Sequence, residues 1–449
     1  MAAPLCVTVL AAGKGTRMRN ALPKVLHPLA GRTLIEHVLA NAQELQPAQT
    51  VVVLAAEMSE VAAVVAKSPL APAIVIQESQ LGTGHAVKMA QAALPASGTV
   101  LVLFGDTPLL RSATLARLVQ AREGVDAAVA VLGMRPTDPA DYGRLRMAGE
   151  RLVAVIEDRD AEPDLKRAAA CNSGVMAFDA ARLSDLLAGL ALHGDKGEYY
   201  LTDTVALAVE RSLTCVAVEG PAEEGSGVNS QAQLAEAGEL LQRRLRQRLL
   251  DEGVIVHDPG TLQLCADTEI APGAVIEPYV VIGPGVRIGA GAIIHSFCHI
   301  ERATIAAGAE IGPFARLRAV SDIGERAKIG NFVETKNTKL EPGAKASHLS
   351  YLGDTTVGSA ANVGAGTITC NYDGFHKYPT RIGAGAFIGS NSALVAPVRI
   401  GDGAIVAAGS TITGDVPPGG FAIARARQVT HAQRAERLRE RLRHKKRTD

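Results

Sequence analysis

Several short strings in this 449-residue chain carry residue types and spacings suited to chemistry. Leu10-Ala11-Ala12-Gly13-Lys14-Gly15-Thr16-Arg17-Met18 follows an apolar run, with Lys24 shortly after it. Its small residues let backbone N–H groups approach a phosphate, while Arg17 and Lys24 supply countercharge. The spacing matches neither the dinucleotide fingerprint nor the Walker A pattern. Gln77 and Leu81-Gly82-Thr83-Gly84-His85 offer donors and room to a nucleotide base. Val102-Leu103-Phe104-Gly105-Asp106 ends a second apolar run on a carboxylate, where Mg2+ could be recruited to a triphosphate. Far downstream, Ser347-His348-Leu349-Ser350-Tyr351-Leu352-Gly353-Asp354 crowds titratable groups around a histidine, the natural general base near neutral pH. Taken singly, each has a plain alternative: turn glycines, a helix-capping aspartate, a structural histidine.

Such residues need elements to hold them. In the first half, apolar runs alternate with amphipathic stretches: Leu5 to Leu10 then Ile35 to Leu45, Val51 to Leu54 then Ser59 to Ala66, Thr99 to Phe104 then Ser112 to Arg122. This alternation predicts an α/β, Rossmann-like fold with a largely parallel sheet covered on both faces, and with ligands beyond the carboxyl ends of its strands. The Gly13 loop and Asp106 both fall at such ends. Between Gln231 and Glu252, Leu234, Leu241, Leu245 and Leu249 share one face amid arginines, which predicts a connecting helix.

Beyond it the chain pulses in sixes: Ile270, Ile276, Ile282, Ile288, Ile294 and Ile300, then Ile382, Ile388, Leu394, Ile400, Val406 and Ile412. Six fits neither helical turns nor one long strand, so a short strand plus a tight turn, stacked as a solenoid, is expected. The pulse slips after Ile300, resumes at Ile311 and becomes irregular from Asn331 to Arg381, where CNYDGFHKYPTR reads as an extruded loop. Because the polar strings lie in that interruption, function is expected where the rhythm fails. The expected domains are 1–230, a linker helix 231–252, and 253–449, which ends in a basic arm.

Composition excludes several classes. With 46 basic and 46 acidic residues there is no overall pull towards nucleic acid or anionic membrane, and the absence of Trp disfavours base-stacking surfaces. No run is long and apolar enough to span a bilayer, and no basic leader precedes the first strand, so a cytoplasmic protein is expected. Six cysteines without CxxC spacing indicate neither zinc nor disulfides.

The Leu10–Met18 string resembles the signature of sugar-1-phosphate nucleotidyltransferases, and the six-residue pulse resembles the left-handed parallel β-helix. The order of the two parts, with LAAGKGTRM, SHLSYLGD and GAGTITCNYDG, resembles the bifunctional N-acetylglucosamine-1-phosphate uridyltransferase and glucosamine-1-phosphate N-acetyltransferase family. That resemblance implies acetyl transfer from acetyl-CoA to glucosamine-1-phosphate, then uridylyl transfer from UTP to N-acetylglucosamine-1-phosphate, in a homotrimer joined through the β-helix. It implies that Gly143, Glu157, Asn172 and Asn229 complete the nucleotide-sugar site, with Asp106 and Asn229 holding Mg2+. It implies that His348 is the acetylation base and that Arg318, Lys336 and Lys377 pair with the sugar phosphate. Tyr351, Asn362 and Asn371 would orient substrate or base, while Ala365, Asn371, Tyr372, Ser390, Ala408 and Arg425 would line the acetyl-CoA path. Two alternatives stay open: a single-activity nucleotidyltransferase with a structural or regulatory solenoid, and a non-catalytic regulatory subunit.

Overall fold

The computed structural model describes residues 4–139, 142–193 and 197–446. The chain forms two compact units, Met1–Leu245 and Arg246–Asp449. Among the described residues, no helix is long and apolar enough to cross a membrane.

In the first unit, valine and leucine fill most positions of Leu5–Leu10, Gln49–Ala55 and Thr99–Phe104, which suits burial on both faces of a sheet. Val7, Val9, Val52, Leu54, Leu101 and Leu103 enter one core, with the helices Leu34–Gln43, Ser59–Val65 and Ser112–Gly124. Cys6, Leu10, Val51, Val53, Val100 and Val102 enter another, with Thr83–Ala90 and Ala180–Ala188. The first helix is fixed by a capping box: Thr33 Oγ1 accepts from Glu36 N–H, and Glu36 Oε2 accepts from Thr33 N–H at 2.7 Å.

The strand order is Cys215–Glu219, Val129–Met134, Cys171–Asp179, Thr99–Phe104, Leu5–Leu10, Gln49–Ala55, Ala73–Gln77. Most neighbours are parallel, but Cys171–Asp179 runs antiparallel to both of its own. The chain reaches it through an antiparallel ribbon, Arg144–Ala148 with Arg151–Ile156, which turns back tightly at Gly149, and then through a short helix, Pro163–Ala168.

The connecting helix spans Gln231–Asp251. Leu234, Ala237, Leu240 and Leu241 pack with Leu29, Leu34, Leu109 and Val228 of the first unit. In the second unit, Arg246 and Arg248 donate to the carbonyls of Leu262 (2.7 Å) and Thr268 (3.1 Å).

The second unit is a parallel β-helix of the hexapeptide type. Each coil points three residues inward: Ile270, Ile276 and Ile282, then Ile288, Ile294 and Ile300, then Ile305, Ile311 and Leu317, and so on to Ile400, Val406 and Ile412, all buried. The expected irregularity proves to be one of residue type and step length, not of coiling. Thr335, Leu340, Ala346, Leu352, Val357, Val363 and Thr369 take the inward places without a break. Some coils close in 17 residues instead of 18, as Asn337 to Asp354 does beside Glu269 to Arg287.

The buried threonines satisfy their hydroxyls internally. Thr335 Oγ1 lies 2.8 Å from Ser321 Oγ, and Thr369 Oγ1 donates to Tyr351 O at 3.2 Å. Glycine after the inward residue is a packing requirement: a Cβ at Gly330 would lie 1.9 Å from Ser347 O, and one at Gly389 2.4 Å from Ala408 N. The extruded loop is present. Thr355 pairs with Thr380, 25 residues on (380 − 355), so 7 more than an 18-residue coil (25 − 18) are looped out before Thr380.

One corner carries an external ladder. Tyr279, Phe297, Phe314 and Phe332 stack with ring centroids 5.2, 4.9 and 5.2 Å apart. Each is about half exposed, and Leu349 takes the same corner place on the following coil. The basic arm contains a helix, Arg434–Lys445, with Leu438 and Leu442 exposed.

Candidate active sites

Leu5–Leu10 and Thr99–Phe104 pair in parallel with Leu10 opposite Phe104, so their carboxyl ends deliver the small-residue loop and Asp106 to one edge of the sheet. Gly105 N–H donates to Leu10 O at 2.9 Å, and a Cβ on Gly105 would sit 3.0 Å from the Ala11 methyl. A cavity of about 480 Å3 opens there, lined by Leu10, Ala11, Ala12, Gly13, Lys24, Gln77, Gly82, Thr83, Phe104, Asp106, Glu157 and Asn172.

The remaining expected residues stand differently. Gly105 packs beneath the loop. Gly143 lies behind Asn172, accepting its N–H at 2.8 Å. Asn229 joins through Lys24. Arg17 is exposed on the turn Thr16–Met18 and is not part of the lining.

Lys24 is the electrostatic centre. Its ammonium pairs with Asp106 Oδ2 and donates to Asn229 Oδ1 at 2.9 Å. A carboxylate and a carboxamide oxygen thus converge on one cation, the donor chemistry that a hard divalent ion takes. Among the described residues no group of three or more His, Cys, Asp or Glu could hold a metal, so an ion here would have few protein ligands, as suits Mg2+. Burial pushes the Glu157 carboxyl above its ordinary range, against a weak bond from Thr202 at 3.5 Å.

Gln77 is buried and tied to Gly82 O (3.3 Å) and His85 Nδ1 (3.0 Å), so it shapes the Gly82 loop. That loop is laced to a distant segment: Tyr199 N–H donates to Leu81 O and Gly84 N–H to Tyr199 O, both at 2.8 Å, and Leu201 N–H to Thr83 Oγ1 at 3.1 Å. A Cβ on Gly82 would lie 2.6 Å from Tyr199 O, and its φ of +92° is itself a glycine conformation. The segment adds Glu198, Tyr200 and Thr202 to the cavity, with Gln80 and Gly174, none of them identified from sequence. Paired tyrosines in an aromatic-poor chain were the available signal.

In the β-helix the expected residues fall on two corners. At the ladder corner, His348 Nδ1 lies 2.6 Å from Asn331 Oδ1. An amide oxygen only accepts, so in the neutral imidazole Nδ1 carries the proton and Nε2 keeps its lone pair. Asn331 sits opposite His348 one coil earlier, a relation visible only once the coils are in register. Ala365, Ser390, Ala408 and Arg425 follow on successive coils of this corner. Asn391 N–H donates to Ala365 O (2.7 Å), Gly409 N–H to Ser390 O (2.8 Å), and the Arg425 guanidinium to Ala408 O (2.8 Å).

At the second corner Arg318, Lys336 and Gly353 are in register. Arg318 pairs with Glu334 at 2.6 Å. Burial pushes the Asp354 carboxyl up, but bonds from Asn337 (2.7 Å), Asn371 (2.5 Å) and Lys336 (3.5 Å) outweigh it and hold it below its ordinary range. Lys377 comes against Lys336, and the neighbouring ammonium holds the Lys377 amine below its ordinary range. Cations held together in this way suit a bound anion. Tyr351 reaches this corner, since a Cβ on Gly353 would meet its hydroxyl at 2.6 Å. Asn362 does not; it pairs with Lys345 and Phe387 on the side leading to His348. Tyr372 is exposed at the base of the loop.

Residues 7–188 match the family described as MobA-like NTP transferase domain, and 267–302 and 379–414 match bacterial transferase hexapeptide (six repeats). A protein of Paramagnetospirillum magneticum named Bifunctional protein GlmU is 52% identical over 97% of this chain and 96% of its own. Proteins of the same name from Azorhizobium caulinodans and Jannaschia sp. are 49% and 48% identical, over 88% and 98% of this chain and 88% and 96% of theirs.

Proposed function

Since the chain belongs to the bifunctional GlmU family, we propose that it makes UDP-N-acetylglucosamine in two steps, acetylating glucosamine-1-phosphate and then uridylylating the product. The observation that carries this reading is two separate constellations in one chain: oxygens converging on a cation at a sheet edge, and a histidine held with one nitrogen free on a β-helix corner.

In the first step the substrate amine attacks the acetyl-CoA thioester carbonyl. His348 Nε2 takes the amine proton, and CoA leaves as the thiolate. Arg318, Lys336 and Lys377 bind the sugar phosphate, with Tyr351 and Asn371 positioning it. Ala365, Ser390, Ala408 and Arg425 carry the CoA arm, and Tyr372 flanks it. In the second step the sugar phosphate attacks the α-phosphorus of UTP in line, and pyrophosphate leaves. The Leu10–Gly13 backbone and Lys24 hold the phosphates, Arg17 adds charge at the rim, Gln77, Gly82 and Thr83 hold the base, and Gly143, Glu157 and Asn172 hold the sugar. Asp106 and Asn229 would hold Mg2+, which would supply charge neutralisation to the triphosphate.

We place the protein in the cytoplasm, where UTP and acetyl-CoA are found and where its six free cysteines stay reduced. A homotrimer completes the acetylation site. His348 and Gly353 lie on different corners of the coil, on either side of the turn at Leu349, whose φ is +50°, whereas the substrate carries its amine and phosphate on adjacent carbons. A neighbouring copy brings the second corner to the first, with Asn362 on the base's side. The exposed aromatic ladder, beneath His348 on the same corner, supports contact there.

Glucosamine-1-phosphate, acetyl-CoA, UTP and Mg2+ together are expected to yield UDP-N-acetylglucosamine by mass spectrometry, and omission of acetyl-CoA to yield none. A product lacking the acetyl group, or none with all four present, overturns the proposal.

Asn331→Asp tests the base's tautomer holder. The added negative charge favours the imidazolium, which cannot accept a proton. Acetyl transfer should therefore fall at mildly acidic pH and return as pH rises, in kcat more than KM. A profile that does not move removes Asn331 from this role.

A further inference from the structure

We propose that Lys24 is a built-in occupant of the metal seat: its ammonium holds Asp106 and Asn229 together until a divalent ion arrives, and is then displaced towards the nucleotide phosphates. The inference rests on the assignment of Asp106 and Asn229 as metal ligands and concerns what this chain's own lysine does there.

Both candidate ligands already commit an oxygen to Lys24, through Asp106 Oδ2 and Asn229 Oδ1. The pair is largely withdrawn from water, with side-chain exposures of 13% for Lys24 and 16% for Asp106. A carboxylate in that setting is costly without a counter-cation, and the ammonium supplies one. The site is also braced around it: Val228 N–H donates to Asp106 O at 2.9 Å, fixing the Asn229 segment beside Asp106. A Cβ on Gly15 would sit 2.6 Å from Lys24 Cβ, so the glycine-rich loop closes directly over the lysine stem. Lys24 borders the same cavity as Gly13 and Ala12, so an ammonium leaving the seat has the phosphate loop to turn to.

Two consequences follow from one cation replacing another. A metal ion alone must eject a paired lysine, so its apparent affinity is reduced by the fraction of molecules in which the seat is free. A metal arriving with a triphosphate meets less opposition, because the displaced ammonium gains phosphate oxygens. Metal and nucleotide therefore bind with positive coupling, and Lys24 carries that coupling.

The test measures Mn2+ binding by electron paramagnetic resonance, with and without the non-reacting analogue α,β-methylene UTP. If the lysine-seated form makes up nine-tenths or more of the free protein, Lys24→Met should bind Mn2+ without nucleotide at least about tenfold more tightly than the parent. The analogue should tighten Mn2+ binding much more in the parent than in Lys24→Met. Arg17→Met removes the same charge from an exposed turn nearby, and should leave metal-only binding within about twofold, so that general repulsion is separated from occupancy. Lys24→Met should also melt at lower temperature than the parent and regain stability on Mn2+ addition, which shows whether the variant is folded. Equal Mn2+ affinity in Lys24→Met and parent, or equal tightening by Arg17→Met, overturns the proposal. The double variant Lys24→Met/Asp106→Asn separates the two ideas: if it binds Mn2+ as tightly as Lys24→Met, the metal assignment itself fails, whereas loss of binding leaves that assignment standing whether or not Lys24 occupies the seat.

Discussion

His348→Ala should slow acetyl transfer by about 10²–10⁴-fold, the contribution of a positioned general base, and leave pyrophosphate release from UTP unchanged. The effect is large because the imidazole is already poised to accept a proton. Asn331 Oδ1 accepts from Nδ1–H at 2.6 Å, which in the neutral imidazole leaves the Nε2 lone pair exposed at the corner. The loss should fall on kcat rather than KM, since the cations Arg318, Lys336 and Lys377, proposed to bind the substrate phosphate, are untouched. His348→Ala should fold normally, because the side chain points out of the coil while Ala346 fills the interior. Chromatographic loss of acetyl-CoA and release of pyrophosphate, followed on the same preparation, check both halves. Acetyl transfer within tenfold of the parent would remove His348 as the base.

Asp106→Asn should do the opposite, lowering uridylyl transfer by about 10³-fold with acetylation intact, in line with removing a principal electrostatic group from a preorganised site. Asparagine keeps the shape and one acceptor oxygen, so Val228 N–H still finds the Asp106 main-chain carbonyl and the loop keeps its path. What disappears is the negative charge that balances Lys24 and draws a divalent ion. Titration with Mg2+ distinguishes the causes: activity that recovers at high Mg2+ marks weakened metal affinity, and activity that stays low marks a lost role in the reaction itself. Simultaneous loss of both activities would mean that the two sites do not function separately.

The parts of the fold that were legible in sequence were those in which one physical demand acts at every repeat. Strands such as Leu5–Leu10 and Thr99–Phe104 must be apolar on both faces, and their ends are those read from the residues. The solenoid was legible through isoleucine, which fills the interior best, and became hard to follow where threonine does the same work. Thr335 and Thr369 are fully buried despite their polar side chains, because the partners that satisfy their hydroxyls, Ser321 and the Tyr351 carbonyl, lie a coil away. The same limit hid Asn331, which sits 17 residues before the histidine it holds, and the Glu198–Thr202 segment, which meets the Gly82 loop more than a hundred residues after it. The antiparallel course of Cys171–Asp179 was concealed for a related reason: a buried strand carries no mark of its direction. Arg17 shows the reverse case, a charged residue in a specific string that the free protein leaves at the surface.

The corner that carries His348, Ala365, Ser390, Ala408 and Arg425 has a consequence of its own. These residues stand on consecutive coils, and coils repeat at about 4.8 Å, so from the base to the coil that carries Arg425 the corner is graduated over about 19 Å. On the proposed assignment of these residues to the acetyl-CoA path, it would act as a gauge of length. A donor would be accepted when its reactive carbonyl and its far end are separated by that many divisions, and removing the one coil that runs from Ser390 to Ala408 would shorten the gauge by a single division of about 4.8 Å without altering the base. Choice of acyl carrier on such a frame can therefore change by counting coils, with no pocket remodelled.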